Sequence, residues 1–293
     1  MKKKISFYTR KLYHKIHSEQ AKNIFIQKKL ISIFNNTKKI LPNKIFKNKI
    51  CCDLGCGNNG INGIGMLEEG AKKVFFVDYD SSVNKSLKKN LNKYSGKYEI
   101  INSDIHKKIF PDEHLDFVFC QGVIHHVARD KIVLKNIFQS MKKDGKILLD
   151  AQGEGGLVTK FVNDVLRPEF KKNAILRKII DDLINNKTNY KQIFTYGLNN
   201  EEKKLFNKVL KYFDYDFLLT VLDRIKTPKY RTYNENKLKQ KLASIGFSKI
   251  RRIKRDLHFF NIRKIFCKVY KEYDHPLSRI LYGEGNIILF ASK

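Results

Sequence analysis

Three things are scarce or absent in this chain of 293 residues. No stretch approaches the roughly 18 consecutive apolar residues of a membrane-spanning helix, so we expect no membrane span. Only five cysteines occur, and none forms a C-x-x-C pair. This usage favours a reduced, cytoplasmic protein and predicts no metal site. The sequence also shows neither internal repeats nor low-complexity tracts.

Acidic residues are scarce as well. Asp and Glu together number 29 against 59 Lys and Arg, which gives a formal net charge of +30. A surface this basic could bind nucleic acid or an anionic membrane surface. Lys is spread over the whole chain, however, and Asn and Ile are abundant too, a bias that A+T-rich coding produces without any selection for binding. Charge alone therefore leaves the kind of partner open.

Hydrophobic residues make up 42% of the chain, enough for a substantial core. In the middle of the chain, short apolar runs alternate with amphipathic helical patterns. The predicted strands are 49–54, 74–77, 98–102, 115–120 and 146–151, with helices at 61–70 and 130–143 among the intervening segments. Two later runs, 247–254 and 286–291, complete the set. This order predicts an α/β fold, a Rossmann-like seven-stranded sheet with helices on both faces.

The pattern divides the chain into four segments. Residues 1–48 predict an N-terminal helical cap, 49–152 the α/β core, 153–231 a helical insertion after the fifth strand, and 232–293 the remainder of the core. A capping box, Thr232 to Glu235, is predicted to begin the helix that follows the insertion. The insertion is either a substrate lid or a helical core of its own. Its aromatic residues are Tyr190, Phe194, Tyr196, Phe206, Tyr212, Phe213, Tyr215 and Phe217.

The feature that carries most chemistry is a glycine turn after the first strand. Asp53 is followed by Gly55, Cys56 and Gly57, and Gly60 completes a G-x-G-x-x-G spacing. A strand that breaks into such a turn and then a helix is typical of a nucleotide pocket. The same spacing, with an acid about 20 residues further on, also fits a dinucleotide-binding dehydrogenase. A turn without any ligand is the third option.

Four segments in order resemble class I S-adenosylmethionine (SAM)-dependent methyltransferases, of the small-molecule type with His-His after the fourth strand. They are the acid-x-Gly-x-Gly run 53–57, Asp78 at the end of the second strand, Asn102-Ser103-Asp104-Ile105, and the segment 115–127. The resemblance covers 49–151 well and 232–293 loosely. Asp53 before the glycines, the preceding helices and the final strand favour this family over the dehydrogenase.

The resemblance implies that SAM is the cofactor. In this family the first acid orients the loop and the methionine end, the second binds the ribose, and the third accepts from the adenine amino group while the next residue packs on the ring. On these grounds we expect the cofactor-binding residues to be Asp53, Gly55, Cys56, Gly57, Asp78, Tyr79, Asp104, Ile105 and Gln121.

For the transfer step, His126 is the candidate catalytic residue. It follows the fourth strand, and a neutral imidazole there could accept a proton from the acceptor. Some relatives pair a residue at this position with a tyrosine from the N-terminal helix, a part that Tyr8 or Tyr13 could take. The alternative is that His125 and His126 only pack or cap the following helix.

The acceptor itself is not specified by the sequence. An Asn-Pro-Pro-Tyr segment, expected for amino-methylation of adenine or glutamine, is missing after the fourth strand. Cys120 lies within that strand and is expected to be core. Our leading hypothesis is a methyltransferase acting on a small-molecule substrate. An RNA or tRNA methyltransferase is the alternative, and a SAM-binding protein without catalysis is the third hypothesis. Arg251 and Arg252 are interpreted as solvated charges.

Overall fold

The computed structural model describes residues 12–14, 16, 18, 24–184, 197–210, 224–227, 230–254 and 276–293. The chain divides into two compact units. The first comprises Met1–Glu154, Lys229–His258 and Glu284–Lys293. The second comprises Gly155–Pro228 and Phe259–Gly283. All of the described strands belong to the first unit.

One seven-stranded sheet forms the centre of the first unit. Its strands are β1 (Ile50–Leu54), β2 (Lys73–Asp78), β3 (Tyr98–Asn102), β4 (Leu115–Gln121), β5 (Met141–Gln152), β6 (Ser248–Arg252) and β7 (Asn286–Ser292). They lie in the order β3-β2-β1-β4-β5-β7-β6. Pairs among β1–β5 are parallel, whereas β7 is antiparallel to β5 and β6. The predicted Rossmann-like, seven-stranded sheet is confirmed.

The strand order reverses between β1 and β4. From β1 the chain proceeds to β2 and β3 on one side, then returns to build β4 and β5 on the other. Ligands of open α/β sheets bind at such a reversal, in the crevice outside the carboxyl ends of the strands. We call the ends of β1–β4 the carboxyl edge. All of the predicted cofactor-binding residues lie on it or in the loops that leave it.

The described helices flank the sheet and fill the second unit. They are α1 (Ile24–Lys38), α2 (Ile61–Glu68), α3 (Val83–Leu91), α4 (Asp130–Ser140), α5 (Leu157–Lys160), α6 (Arg167–Lys172), α7 (Ala174–Ile184), α8 (Asn200–Leu210), α9 (Glu235–Ala243) and α10 (Pro276–Tyr282). A π-helical stretch, Phe161–Leu166, connects α5 to α6. Residues 12–14, 16 and 18 are also helical.

Two buried cores lie on opposite faces of the sheet. Buried side chains of α1, α2 and α3, among them Phe34, Met66 and Leu87, pack on one face. Those of α4 and α9, among them Leu134 and Leu238, pack on the other. Successive residues of β1 and β2 alternate between the two cores, as the pleat of a strand requires. The expected helices on both faces are therefore confirmed.

The helix predicted at 130–143 ends earlier, at Ser140, and β5 begins directly at Met141. A register shift in the pairing of β4 with β5 accounts for the difference: Leu115 pairs with Met141, but Phe117 pairs with Lys146. The extra residues of β5 bulge outward, with Asp144 in the left-handed region at φ 62°. The residues between the predicted helix 130–143 and the predicted strand 146–151 thus lie within β5 as a bulge.

Two expectations near the end of the chain are wrong. The helix α9 is capped by Asn234, whose side chain accepts from the Lys237 N–H, and not by a capping box beginning at Thr232. Arg252 is not a solvated charge: its side chain is 9% exposed and pairs with Glu235 and Glu284. Glu235 and Glu284 lie 17 and 32 positions away from Arg252. The local charge pattern therefore did not predict these two ion pairs.

The second unit begins close to the expected start of the insertion but also takes Phe259–Gly283, which the sequence pattern had placed in the core. Within it, a Cβ on Gly156 would lie 2.3 Å from the Gly283 nitrogen, so the two backbones pass in direct contact there. Tyr8 and the aromatic residues of the insertion lie outside the described backbone or side chains. No helix within the described ranges is long and apolar enough to cross a membrane.

Candidate cofactor and transfer site

The turn after β1 is fixed against β2 and brings its backbone close to the loop after β4. Gly55 has φ +77°, and the Gly55 and Cys56 N–H groups both donate to the Val77 carbonyl, at 2.7 and 3.2 Å. A Cβ on Gly55 would lie 2.3 Å from Val123 Cγ2. Only glycine fits this position, which leaves bare backbone at the crevice.

Gly60 has a packing role that the sequence did not reveal. It lies at φ +56° directly before α2, and a Cβ there would lie 2.5 Å from Leu87 of α3 and 2.9 Å from Phe76 of β2. Because Gly60 has no side chain, the start of α2 can pack directly against Leu87 and Phe76. Asn58, inside the turn, is 5% exposed. Within the described part of the chain, its Oδ1 has no hydrogen-bond partner.

Asp53 is buried beneath this turn, at 1% exposure. Its Oδ2 accepts from the Gly63 N–H at 2.9 Å, and the Asn62 side chain also bonds to it. Burial, helped by the nearby Asp78 charge, raises its pKa to about 7 against the opposing effect of the Gly63 and Asn62 hydrogen bonds. Asp53 therefore orients the first turn of α2. Its predicted contact with the cofactor stays a prediction.

Asp78 ends β2 and is held in place by the backbone. Its Oδ2 accepts from the Gly57 N–H at 3.0 Å, and its Oδ1 accepts from the Asp80 N–H at 2.9 Å. Each carboxylate oxygen has about two acceptor sites, so both can accept a further hydroxyl donor. The neighbouring Tyr79 is 46% exposed. The second strand thus presents a positioned carboxylate and an exposed ring at the edge.

The N-terminal residues reach two strand ends. His14 Nδ1 lies 3.2 Å from Asp80 Oδ2 and 2.5 Å from Ser82 Oγ, after β2. The adjacent Tyr13 packs against His126, after β4, with ring centroids 5.2 Å apart at an interplanar angle of 64°. This short stretch therefore contacts the carboxyl edge on either side of β1.

After β3, Asp104 is bound by His106. Its Oδ1 interacts with the His106 N–H at 2.9 Å and with Nδ1 at 2.7 Å. Although burial opposes ionisation, these hydrogen bonds outweigh it and hold the pKa of Asp104 below its ordinary value. The Arg129 N–H donates to His106 Nε2 at 3.4 Å, which joins the loops after β3 and β4. Ile105, which lies between Asp104 and His106 in the sequence, is partly buried and packs against the core.

After β4, Gln121 is partly buried and pairs in register with Asp150 of β5. A 3₁₀ turn, Ile124–His126, follows. His125 is buried, whereas His126 is partly exposed and has the Tyr230 ring at 5.7 Å. The structure therefore brings His126 to the carboxyl edge, where its ring contacts those of Tyr13 and Tyr230.

Comparison with solved structures reveals the same architecture in methyltransferases. A putative SAM-dependent methyltransferase from Listeria monocytogenes aligns with a TM-score of 0.53 at 17% identity, covering 89% of this chain and 98% of that one. A SAM-dependent methyltransferase from Mesorhizobium loti gives 0.51 at 10% identity, covering 87% and 95%. Residues 52–149 match the family model described as a methyltransferase domain. Residues 52–149 therefore carry a methyltransferase domain.

Curated relatives of this methyltransferase share less of the chain. A protein named tRNA U34 carboxymethyltransferase from Sulfurovum sp. is 31% identical over 124 residues, 39% of this chain and 38% of that protein. One of the same name from Campylobacter lari is 33% identical over 111 residues, 36% of this chain and 35% of that protein. The chain thus spans less than two fifths of the length of these relatives.

The described residues fit SAM, the cofactor of this methyltransferase domain. The glycine turn offers bare backbone, Asp78 retains acceptor sites for ribose hydroxyls, and the buried Asn58 Oδ1 is an acceptor that a ligand donor would satisfy. When bound, SAM supplies a methyl group on a positively charged sulfur. The individual cofactor contacts stay predictions for Gly55, Cys56, Gly57, Asp78, Tyr79, Asp104, Ile105 and Gln121.

Sequence reasoning missed the residues that join distant segments at this methyltransferase site. His106 was detectable, since it lies two residues after Asp104. Asn58 was noticeable only because many relatives have a smaller residue directly after the second glycine of the turn. Tyr230 had no local signal linking it to His126. Cys120 was expected to be core, and burial raises its pKa to about 12, so it is no thiolate nucleophile.

Proposed function

We propose that the chain transfers a methyl group from SAM to a nucleoside of RNA, with tRNA as the substrate class. The observation that carries the proposal is the similarity to curated relatives named tRNA U34 carboxymethyltransferase, whose identity to this chain is 30–33%. This similarity favours RNA over the small-molecule acceptor that motif reasoning ranked first.

Exposed cations at the carboxyl edge support an RNA partner. Lys107 follows β3, whereas Arg129 and Lys131 follow β4, and all three are exposed. Within the described ranges none of these side chains forms an ion pair. Lys107 is close enough to Asp104 to help lower the pKa of that carboxyl. Exposed cations outside ion pairs are nevertheless suited to phosphate contacts, which supply much of the affinity for nucleic acid. The net charge of +30 acts in the same direction at longer range.

His126 is the proposed proton acceptor. It lies in the turn after β4 and is partly exposed. A neutral imidazole can take the proton from an acceptor hydroxyl or ring N–H as the new bond to carbon forms. The packing alternative is a better description of His125, which is buried.

The test is the distribution of methyl label. Purified protein is incubated with methyl-labelled SAM, total tRNA and the small-molecule fraction of a cell extract, and the products are separated by size before and after ribonuclease treatment. We expect the label in the tRNA fraction, and we expect ribonuclease to convert it to small labelled products. Label that is found only in the small-molecule fraction, before any ribonuclease treatment, would contradict the proposal.

The role of His126 has its own test. His126→Ala should lower the transfer rate without weakening binding of S-adenosylhomocysteine.

A matched pair of charge variants tests the surface. One replaces Lys107, Arg129 and Lys131 with Ala, and the control replaces Lys72, Lys97 and Lys143, which are equally exposed but lie at the amino ends of β2 and β3 and in the β5 bulge. Both lose three charges. The first should bind tRNA more weakly and with a shallower salt dependence than the control. Equal losses in both variants would show that only net charge matters.

A further inference from the structure

Tyr230 lies against the two histidines that follow β4. Its ring centroid is 5.7 Å from that of His125, at 77°, and 5.7 Å from that of His126, at 52°. On another side of His126 lies Tyr13, at 5.2 Å and 64°. None of these pairs is parallel, so the rings do not stack face to face on one another. Tyr13, His126 and Tyr230 are all partly exposed. We call these three residues the aromatic wall.

Backbone contacts hold the segment that carries Tyr230. The Arg231 N–H donates to the His125 carbonyl at 2.9 Å. Two residues on, the Tyr233 N–H donates to the Gln152 carbonyl at 2.9 Å, and the Tyr233 carbonyl accepts from the Glu154 N–H at 2.8 Å. Tyr230 is therefore connected on its C-terminal side to both the β4 turn and the end of β5.

A buried carboxylate fastens the same segment through side chains. Asp130 is 5% exposed, and its Oδ2 lies 2.7 Å from Arg231 Nη1, 2.9 Å from the Tyr233 hydroxyl and 2.6 Å from Lys241 Nζ. The Tyr233 hydroxyl also lies 3.2 Å from the Ile124 carbonyl oxygen. Although burial opposes ionisation, the bonds from Lys241, Arg231 and Tyr233 outweigh it and hold the pKa of Asp130 at about 2. The anchor therefore stays charged at neutral pH.

This arrangement fixes a ring beside the proton acceptor at the edge where the acceptor group must arrive. Rigid placement lowers the entropy lost when a flat ligand binds. Every nucleobase has a π-face that stacks on such rings, and proteins recognise unpaired RNA bases in this way. A base inside a duplex would first have to be extruded. The exposed cations of the neighbouring loops, Lys107, Arg129 and Lys131, are available for contacts with the flanking phosphates.

We propose that the aromatic wall stacks on the unpaired nucleobase that receives the methyl group, with Tyr230 as its binding residue and Asp130 and Arg231 as positioning residues. The inference rests on the proposed function, since it names the part of the RNA that this site takes. The aromatic wall thus requires a target base in an RNA loop or single strand, and not in an RNA duplex.

The test compares Tyr230→Leu, which keeps apolar bulk without a π-ring, with Tyr230→Phe, which keeps the ring. RNA affinity, KM for RNA and affinity for S-adenosylhomocysteine are measured for a single-stranded oligonucleotide and for the same sequence in a duplex. Tyr230→Leu should weaken binding of single-stranded RNA about 10- to 100-fold without changing affinity for S-adenosylhomocysteine. Tyr230→Phe should recover most of that loss.

Two further variants complete the design. Tyr94→Leu removes a partly buried tyrosine that is hydrogen-bonded to Glu68, away from the carboxyl edge, and should leave RNA affinity unchanged. Arg231→Ala should raise KM for RNA as Tyr230→Leu does, and Arg231→Lys should restore part of it because a cation can still pair with Asp130.

The outcomes separate this inference from the proposed function. Methyl transfer to RNA by the wild type together with unchanged KM in Tyr230→Leu would overturn the aromatic wall and leave the proposed function standing. Equal loss of RNA and S-adenosylhomocysteine binding in Tyr230→Leu would show a structural role and also overturn it. If the wild-type protein binds S-adenosylhomocysteine but transfers no methyl group to RNA, the proposed function itself would be overturned.

Discussion

The buried Asp53 carboxyl makes stability depend on pH in a direction opposite to that of most acids. Its pKa is about 7 in the folded chain against an ordinary 3.8. At 1.36 kcal/mol per unit, this difference is worth roughly 4 kcal/mol. The folded state keeps its proton where the unfolded state has lost it. The contribution is therefore complete below about pH 4 and is lost as the pH rises to about 7.

Asp53→Asn removes this dependence. The amide is neutral at every pH, and its oxygen can still accept from the Gly63 N–H. At about pH 4 the variant and the wild type should have similar free energies of unfolding. At about pH 8 the variant should be the more stable by up to roughly 4 kcal/mol. Urea denaturation followed by circular dichroism at a series of pH values measures this difference directly.

The difference between the two proteins cancels the titration of all other acids. Asp144→Asn is a suitable control, because it removes an exposed carboxylate at a left-handed position that Asn tolerates. Its pH dependence should follow that of the wild type. Parallel curves for Asp53→Asn and the wild type from about pH 4 to pH 8 would refute the argument that burial raises the pKa of Asp53.

Three further substitutions have defined outcomes. Gly55→Ala places a Cβ 2.3 Å from Val123 at φ +77° and should abolish binding of S-adenosylhomocysteine in calorimetry; unchanged affinity would contradict the geometry of the turn. Gly65→Ala places a Cβ 2.3 Å from the Phe34 ring and should lower the free energy of unfolding by about 1–3 kcal/mol, with cofactor affinity retained. Asp130→Asn should cost about 3 kcal/mol at neutral pH. That cost should shrink as the pH falls through about 4 towards 2, where the wild-type carboxylate also becomes neutral; a cost independent of pH would argue against the ionised anchor.

The sheet and the cofactor edge were predictable because their signals are local. Most of the strands contain a short apolar run, and Asp53, Asp78 and Asp104 each lie at or just after the end of one. Parallel strands place their carboxyl ends together, so the three acids had to share an edge. The bulge at Asp144 was less accessible, since it depends on how β5 aligns with Leu115 and Phe117.

The contacts that fasten the transfer side were not predictable, because they join residues far apart in sequence. Tyr233 and Asp130 are separated by 103 positions, and no sequence motif links the two. Arg252 looked like a solvated cation because its partners Glu235 and Glu284 come from two other segments. The pKa of Asp53 likewise follows from complete burial, which no spacing of acids and glycines specifies.

The measurement that tests the central claim most directly is nucleoside analysis of tRNA after reaction with SAM. Unmodified tRNA is incubated with the protein and SAM, digested to nucleosides and examined by mass spectrometry, with a reaction lacking SAM as reference. The account predicts one nucleoside, from an unpaired position, that gains a methyl group only when SAM is present. Unchanged nucleosides, from protein that binds S-adenosylhomocysteine in the same preparation, would contradict it.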